Sequence, residues 1–373
     1  MSDEAPIYVT RPALPPLAEF LPHLEQIWES HRVTNSGPFH EHFEQELAER
    51  FGVPHVVLCS NGTLALLLAL RALGLKGQVV TTPYSFVATA HAIVWAGLEP
   101  VFVDIDPDTY NLAPAAIEQA LTDDTCCILP VHCYGNPCDV DAIDALATAH
   151  RLPVLYDAAH AFDVQCHCGS LLQHGDLAVL SFHATKIFST LEGGAIICHD
   201  DAMKKNLEYL RNFGFENETT VAEIGINAKM NEVQAALGRV ALDHVGGWIA
   251  ERAAITARYR RRLAGIPGIS CLPEQGPAMP NHAYFPIRVD ARHPRSRDEL
   301  YAYLATHEIH ARRYFYPLIT DFPMYANARI GVGGLDHARR AADEVICLPI
   351  YPGLAETDQQ RICDLIKSPP EHG

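Results

Sequence analysis

Short apolar runs alternate with longer apolar or amphipathic stretches through the first two thirds of the chain. His55-Val56-Val57-Leu58-Cys59, Gln78-Val79-Val80-Thr81-Thr82-Pro83, Pro100 to Asp104, Cys126 to Val131 and Val154-Leu155-Tyr156 read as strands. Brief, near-continuous apolar runs bounded by turn residues suit strands that are covered on both faces. Between them, Leu64 to Leu73, Ser85 to Ala96, Ala113 to Leu121 and Asp139 to His150 read as helices. This alternation predicts an α/β fold with a mainly parallel sheet flanked by helices, and ligands at the carboxyl ends of the strands.

The flanks read differently. Leu17 to Ser30, after Pro15-Pro16, and Phe39 to Phe51 predict two helices of an N-terminal arm around a turn-rich segment at 33–38. Met203 to Phe213 predicts a helix, 215–220 an exposed loop, and Asn231 the N-cap of a long helix. From Glu251 to Leu263 we expect a separate basic amphipathic helix whose arginines form a solvated face. Tyr284 to Val289 then predicts a strand, Ser296 to His307 a helix, and Ile346 to Ile350 another apolar run, as in a smaller α+β unit. The expected division is a large α/β domain with its N-terminal arm over 1–250, and a linker helix with a small α+β domain over 251–373.

Composition narrows the class. With 373 residues, 48% hydrophobic and 20% charged, the chain is that of a soluble globular protein. Its formal net charge of −17 argues against broad binding to nucleic acid or to an anionic membrane surface. No run reaches the ~18 apolar residues of a membrane span, and the first residues, MSDEAPIYVTRPALPP, lack the pattern of a signal peptide. Eleven scattered cysteines without such a segment lead us to expect reduced thiols and a cytoplasmic location.

Candidate chemistry gathers around Val179 to Cys198, where one apolar run ends in Ser181-Phe182-His183, a polar loop carries Lys186, and Gly193-Gly194 launches a second run. A lysine confined between strands can lose its proton and attack carbonyls, although an exposed loop lysine fits the same pattern. The turn Ser60-Asn61-Gly62-Thr63, between strand and helix, is either an anion site or simply a good N-cap. Asp157, at a strand end, is either a helix cap or a carboxylate aimed into the ligand crevice. The segment Ala311-Arg312-Arg313-Tyr314-Phe315-Tyr316-Pro317 is either a strand edge with surface arginines or a surface for a phosphorylated ligand bearing a flat base. With an aromatic at Phe86, the set matches what pyridoxal phosphate requires: a lysine for its aldehyde, a carboxylate for its ring nitrogen, a stacking ring, and donors for its phosphate.

In Ser60-Asn61-Gly62-Thr63, Pro83-Tyr84-Ser85-Phe86, Asp157-Ala158-Ala159-His160-Ala161, Ser181 to Gly194, and Gly225-Ile226-Asn227-Ala228-Lys229-Met230-Asn231-Glu232, the chain resembles the DegT/StrS-type nucleotide-sugar aminotransferases. That resemblance implies a fold-type I pyridoxal-phosphate enzyme, with a mainly parallel seven-stranded sheet in the large domain. It implies that Lys186 carries the cofactor and later moves the substrate proton, that Asp157 pairs with the pyridine nitrogen, and that Phe86 stacks on the ring. Gly62, Thr63 and Ser181 would hold the phosphate, and Asn227 would reach it from the partner subunit of a homodimer. His160 stands where many members have glutamine, near the cofactor's phenolic oxygen. His183, Arg313 and Tyr316 are the expected substrate contacts, with Arg312 an equal candidate beside Arg313.

The same resemblance implies glutamate as amino donor and a keto sugar on a nucleoside diphosphate as acceptor. The motifs look most like 4-aminotransferases that form dTDP-4-amino-4,6-dideoxyglucose from dTDP-4-keto-6-deoxyglucose, an amino sugar for O-antigen or other polysaccharides. Alternatives are a 3-aminotransferase on a dTDP-3-keto-6-deoxyhexose, a 4-aminotransferase on a UDP sugar, or a regulatory protein that binds pyridoxal phosphate without turnover. We expect no metal site: Cys166-His167-Cys168, with Cys133 or Cys138, is too tightly spaced for paired zinc ligands.

Overall fold

Every strand in the middle of the molecule is apolar at successive positions because both of its faces are covered. In His55–Cys59, Val56 and Leu58 join one buried cluster while Val57 and Cys59 join another. In Gly194–Cys198, Ala195 and Ile197 likewise separate from Ile196 and Cys198. The computed structural model describes residues 5–167, 169–274 and 279–369.

The central sheet runs in the order His55–Cys59, Gly194–Cys198, Leu177–Ser181, Leu155–Asp157, then Thr125–Leu129, Gln78–Thr81, Glu99–Phe102 and Arg329–Ile330. Its halves join where Ile128 pairs with Val154 and Val131 with Asp157. All neighbours are parallel except around Gly194–Cys198, which is antiparallel to both of its own. This is the expected seven-stranded sheet, extended by the short exposed edge Arg329–Ile330.

The helices start where their caps dictate. The Asn61 side chain accepts from the Leu64 amide at the head of Gly62–Ala72, and Asp139 caps Val140–His150 in the same way. Asn231 with Gln234, and Ser296 with Glu299, form capping boxes. The two N-terminal helices, Leu17–Ser30 and Pro38–Phe51, lie where expected. The second is held by the buried Glu232 carboxylate, which accepts from the amides of Phe39 at 3.0 Å and His40 at 2.9 Å.

Four local expectations change. The helix entered at Asn231 does not end before Glu251 but continues as one helix, Glu232–Leu263, of 32 residues. Arg252, expected on a solvated face, is 1% exposed and donates to the carbonyls of Ala283 and Ile350. The loop at 215–220 is an exposed hairpin of Phe215–Asn217 with Thr220–Val221. In 311–317 no strand forms, apart from one bridge between Arg312 and Cys347.

After the long helix, Ile269–Cys271, Phe285–Val289 and Val345–Leu348 make a three-stranded antiparallel sheet. With Arg297–Thr306 and Glu356–Lys367 it surrounds its own core of Tyr259, Phe285, Ile287, Leu300, Ile346 and Ile362. Cys59, Cys126, Cys127, Cys133, Cys138, Cys198, Cys271, Cys347 and Cys363 are free thiols, and Cys168, part of the motif read as too tightly spaced for zinc, lies outside the described residues.

Candidate active site

The site forms where strands of the central sheet end. Gly194 pairs with Ser181 across Leu177–Ser181 and Gly194–Cys198, so residues 182–193 are a loop closed at its neck by the Phe182 amide on the Gly193 carbonyl at 2.8 Å. Within it the Lys186 amide donates to the His183 carbonyl at 2.9 Å, a turn that sends the lysine side chain into a cavity of about 650 Å³.

Two glycines bring the cradle of this cavity together. A Cβ on Gly194 would lie 2.7 Å from the backbone of Asn61 and Gly62, and one on Gly62 would lie 2.9 Å from the Ser181 Cβ. Only glycine at both positions lets the Ser181 hydroxyl meet the start of the Gly62–Ala72 helix. Asn61 caps Leu64 at 2.9 Å, while the amides of Gly62 and Thr63, being the first of the helix, have no acceptor within it. Amides, a hydroxyl and the positive helix end suit a phosphate.

Asp157 ends its strand 5% exposed, with the Thr89 hydroxyl donating to Oδ2 at 2.8 Å and the Ala159 amide to Oδ1 at 3.1 Å. Burial, the largest influence, pushes its carboxyl above the usual range, against the pull of those donors and of Lys186. Burial also lowers the Lys186 amine to about 8, with Asp157 opposing. At pH 7.5 roughly a quarter of such amines are neutral, against about one in a thousand for an ordinary lysine.

His160 is 6% exposed, and its Nδ1 accepts from the Tyr134 amide at 3.2 Å. Burial first, then Lys186, holds it well below the usual histidine range, so the ring is neutral and its proton sits on Nε2, a donor. Phe86 lines the cavity with 60% of its surface open, because the expected helix from Ser85 starts only at Ala88 and leaves 85–87 free at the strand exit. His183 stands at the rim, its Nδ1 2.8 Å from the Thr185 hydroxyl and its Nε2 3.5 Å from Glu192.

The cavity thus holds Lys186, Asp157, Gly62, Thr63, Ser181, Phe86, His160 and His183 together, and Arg313, Tyr316 and Asn227 do not line it. Arg313 pairs with Asp298 at 2.8 Å and lies over the rings of Tyr301 and Tyr316. Asn227 is exposed near the hairpin. From the 311–317 segment it is Tyr314 and Phe315 that reach the cavity. Phe315 lies parallel to the His160 ring, and the Tyr314 carbonyl accepts from the hydroxyls of Tyr84 and Tyr134.

Thr89 and Tyr284 complete the site without having been anticipated. The only local signal for Thr89 is its place one helical turn after Ser85, whose hydroxyl lies 2.9 Å from its own. Thr89→Val keeps the side-chain shape and removes one donor from a buried carboxylate. The expected result is a kcat lowered about tenfold and a Tm lowered by a few degrees at neutral pH, since hydrogen bonds to charged groups are worth ~1.5–3 kcal/mol; steady-state kinetics and calorimetry check both.

The donor set fits pyridoxal phosphate: a poised amine, a carboxylate, an open aromatic face, and a phosphate cradle that any Cβ on Gly62 would disturb. Known proteins point the same way. The profile of the DegT/DnrJ/EryC1/StrS aminotransferase family matches residues 17–367. A dTDP-4-amino-4,6-dideoxy-D-glucose transaminase of Shigella dysenteriae is 51% identical over 365 residues, covering 98% of this chain and 99% of its own. A protein of the same description from Escherichia coli is 46% identical, with coverages of 98% and 99%. The crystal structure of DesI with its TDP-sugar product superposes with a TM-score of 0.93 at 34% identity, over 98% of this chain and 93% of that one.

Proposed function

The chain belongs to the DegT/DnrJ/EryC1/StrS aminotransferase family, and from that membership we propose that it moves an amino group from glutamate to carbon 4 of dTDP-4-keto-6-deoxyglucose. It is a pyridoxal-phosphate-dependent sugar-nucleotide aminotransferase. The observation that carries the reading is the meeting of Lys186, Asp157 and the cradle of Gly62, Thr63 and Ser181 in one cavity. Full-length similarity to two transaminases named for the same amino sugar supports the choice of sugar and carbon.

When bound, the cofactor supplies an electron sink that lets a proton leave and return at the carbon bearing nitrogen. Lys186 anchors the cofactor through its amine and, when free of it, carries that proton. Asp157, fixed by Thr89, keeps the ring nitrogen protonated, and Phe86 covers the ring. Gly62, Thr63 and Ser181 hold the phosphate, and the Nε2 proton of His160 serves the phenolic oxygen. His183 lies at the mouth, where the sugar enters.

Asn227 completes the phosphate site from the partner subunit of a homodimer. The exposed Phe213, Phe215, Val221 and Ile224 around it support a covered surface there. Arg313 and Tyr316 contact the nucleotide at the outer edge of the site. We place the enzyme in the cytoplasm, in O-antigen or other polysaccharide biosynthesis, and divide the chain at residue 250 within the long helix. Among the described residues no helix is long and apolar enough to cross a membrane.

The test is incubation of the purified protein with pyridoxal phosphate, glutamate and a panel of dTDP- and UDP-linked 3- and 4-keto sugars. The product is identified by mass and sugar NMR. The reading requires amination at carbon 4 of the dTDP sugar; amination at carbon 3, or of the UDP sugars alone, replaces that assignment. No amino sugar from any acceptor leaves the reading without support.

A further inference from the structure

We infer that Tyr284 receives the Lys186 amine whenever that amine is not joined to the cofactor, and so acts as a positioning residue for it. The inference rests on the reading of Lys186 given above. The geometry is direct: Lys186 Nζ donates to the Tyr284 hydroxyl at 3.4 Å, the only hydrogen bond of that amine among the described residues. Tyr284 immediately precedes the strand Phe285–Val289 of the C-terminal sheet, so it reaches the amine from a different part of the fold than the loop that carries the lysine.

The tyrosine ring is held by three neighbouring rings. Ring centroids of His160, Tyr134 and Tyr314 lie 4.7, 5.6 and 5.7 Å from that of Tyr284. The hydroxyl is therefore a fixed point to which a flexible four-carbon side chain can return. The small void lined by the two residues and His160 measures about 10 Å³, at the lower limit of what one water needs, so a water that competes with the phenol for the amine comes from the open cavity of about 650 Å³.

The charge balance sets the direction of a test. Asp157 and His160 face the amine from the strand end, His183 and Glu192 from its own loop, and Tyr284 and Tyr314 from the C-terminal side. Burial keeps the phenol of Tyr284 protonated and His160 neutral, so the phenol oxygen is an uncharged acceptor. Such an acceptor favours an ammonium donor over a neutral amine. Removing it lowers the pH at which Lys186 releases its proton.

The experiment uses cofactor-free protein and acetic anhydride. Modification of Lys186 is followed against pH by peptide mass for wild type, Tyr284→Phe and Tyr284→Leu, with folding checked by circular dichroism. Both variants should move the midpoint down by about half a unit to one unit. In the complete assay, Tyr284→Phe should lower kcat by about threefold to tenfold with each KM within twofold. An unchanged midpoint in a folded variant overturns the inference. So does a rise towards an ordinary lysine, which is the result if the ring only packs and its loss admits water. Should wild-type Lys186 take up no pyridoxal phosphate, the reading of the lysine fails, while the midpoints still decide whether Tyr284 holds its amine.

Discussion

Lys186→Ala is expected to abolish turnover, lowering kcat with glutamate and keto sugar by roughly 10⁴-fold or more, because anchoring and proton movement are lost together. No other lysine lines the cavity to replace it. The fold should survive. The loop is held by backbone bonds from Phe182 to Gly193 and from Thr190 to Phe182, and the side chain contributes one long bond to Tyr284. Burial depresses the lysine's proton affinity to about 8, so the folded protein binds fewer protons than the unfolded chain across the interval from there to the ordinary value near 10.4. The lysine thus costs stability below that interval, and the cost disappears as pH rises through it. Alanine should leave Tm at pH 7 unchanged or raised, with no gain near pH 11. Reduction with borohydride after incubation with pyridoxal phosphate should label the wild-type peptide that contains residue 186 and not the variant's. Retention of more than about a thousandth of wild-type kcat would remove the lysine from this role.

Much of this site was legible because it is local in sequence. The Lys186 loop was marked by an apolar run on either side, Asp157 by its place after a strand, and Gly62-Thr63 by the step from strand to helix. What escaped was set by distant contacts. Thr89 sits in an apolar helix and becomes meaningful only where Asp157 lies 2.8 Å away, 68 residues further along the chain. Tyr284 read as the first residue of a strand, and only the approach of the C-terminal sheet brings it to Lys186. Arg252 read as solvated because helical periodicity places a charge on a face without saying what will cover it; Ala283 and Ile350 do. The break expected before Glu251 failed for a related reason. Gly246 and Gly247 weaken a helix locally, yet Val245 and Trp248 on either side are buried and hold it in register. Pairings of two residues, such as Ile7–Tyr8 with Ile309–His310, leave no periodic trace at all.

Asp157→Asn should separate activity from stability. The amide keeps the shape: its oxygen can accept from the Ala159 amide while its NH2 donates to the Thr89 hydroxyl, but it cannot hold a proton on a ring nitrogen. A kcat lowered by roughly 10²–10⁴-fold is expected, the range for losing a positioned proton-holding group. Lys186 also loses the carboxylate that opposes its desolvation, so its midpoint should fall further below about 8 in the cofactor-free protein. Stability should move the other way. Burial raises the Asp157 carboxyl above its unfolded value, so the folded state binds more protons between the two values, and the stability this gives is complete below the unfolded value and lost as pH rises through the folded one. At pH 7 the buried acid is therefore a net cost of the cofactor-free fold, one that asparagine removes. Thermal unfolding without cofactor should give the variant an equal or higher Tm at pH 7, and no advantage below about pH 4, where the unfolded carboxyl is itself protonated. With pyridoxal phosphate the order should reverse, because only the carboxylate gains from binding the protonated ring. A variant that loses Tm at pH 7 without cofactor would show instead that Asp157 is kept for the fold.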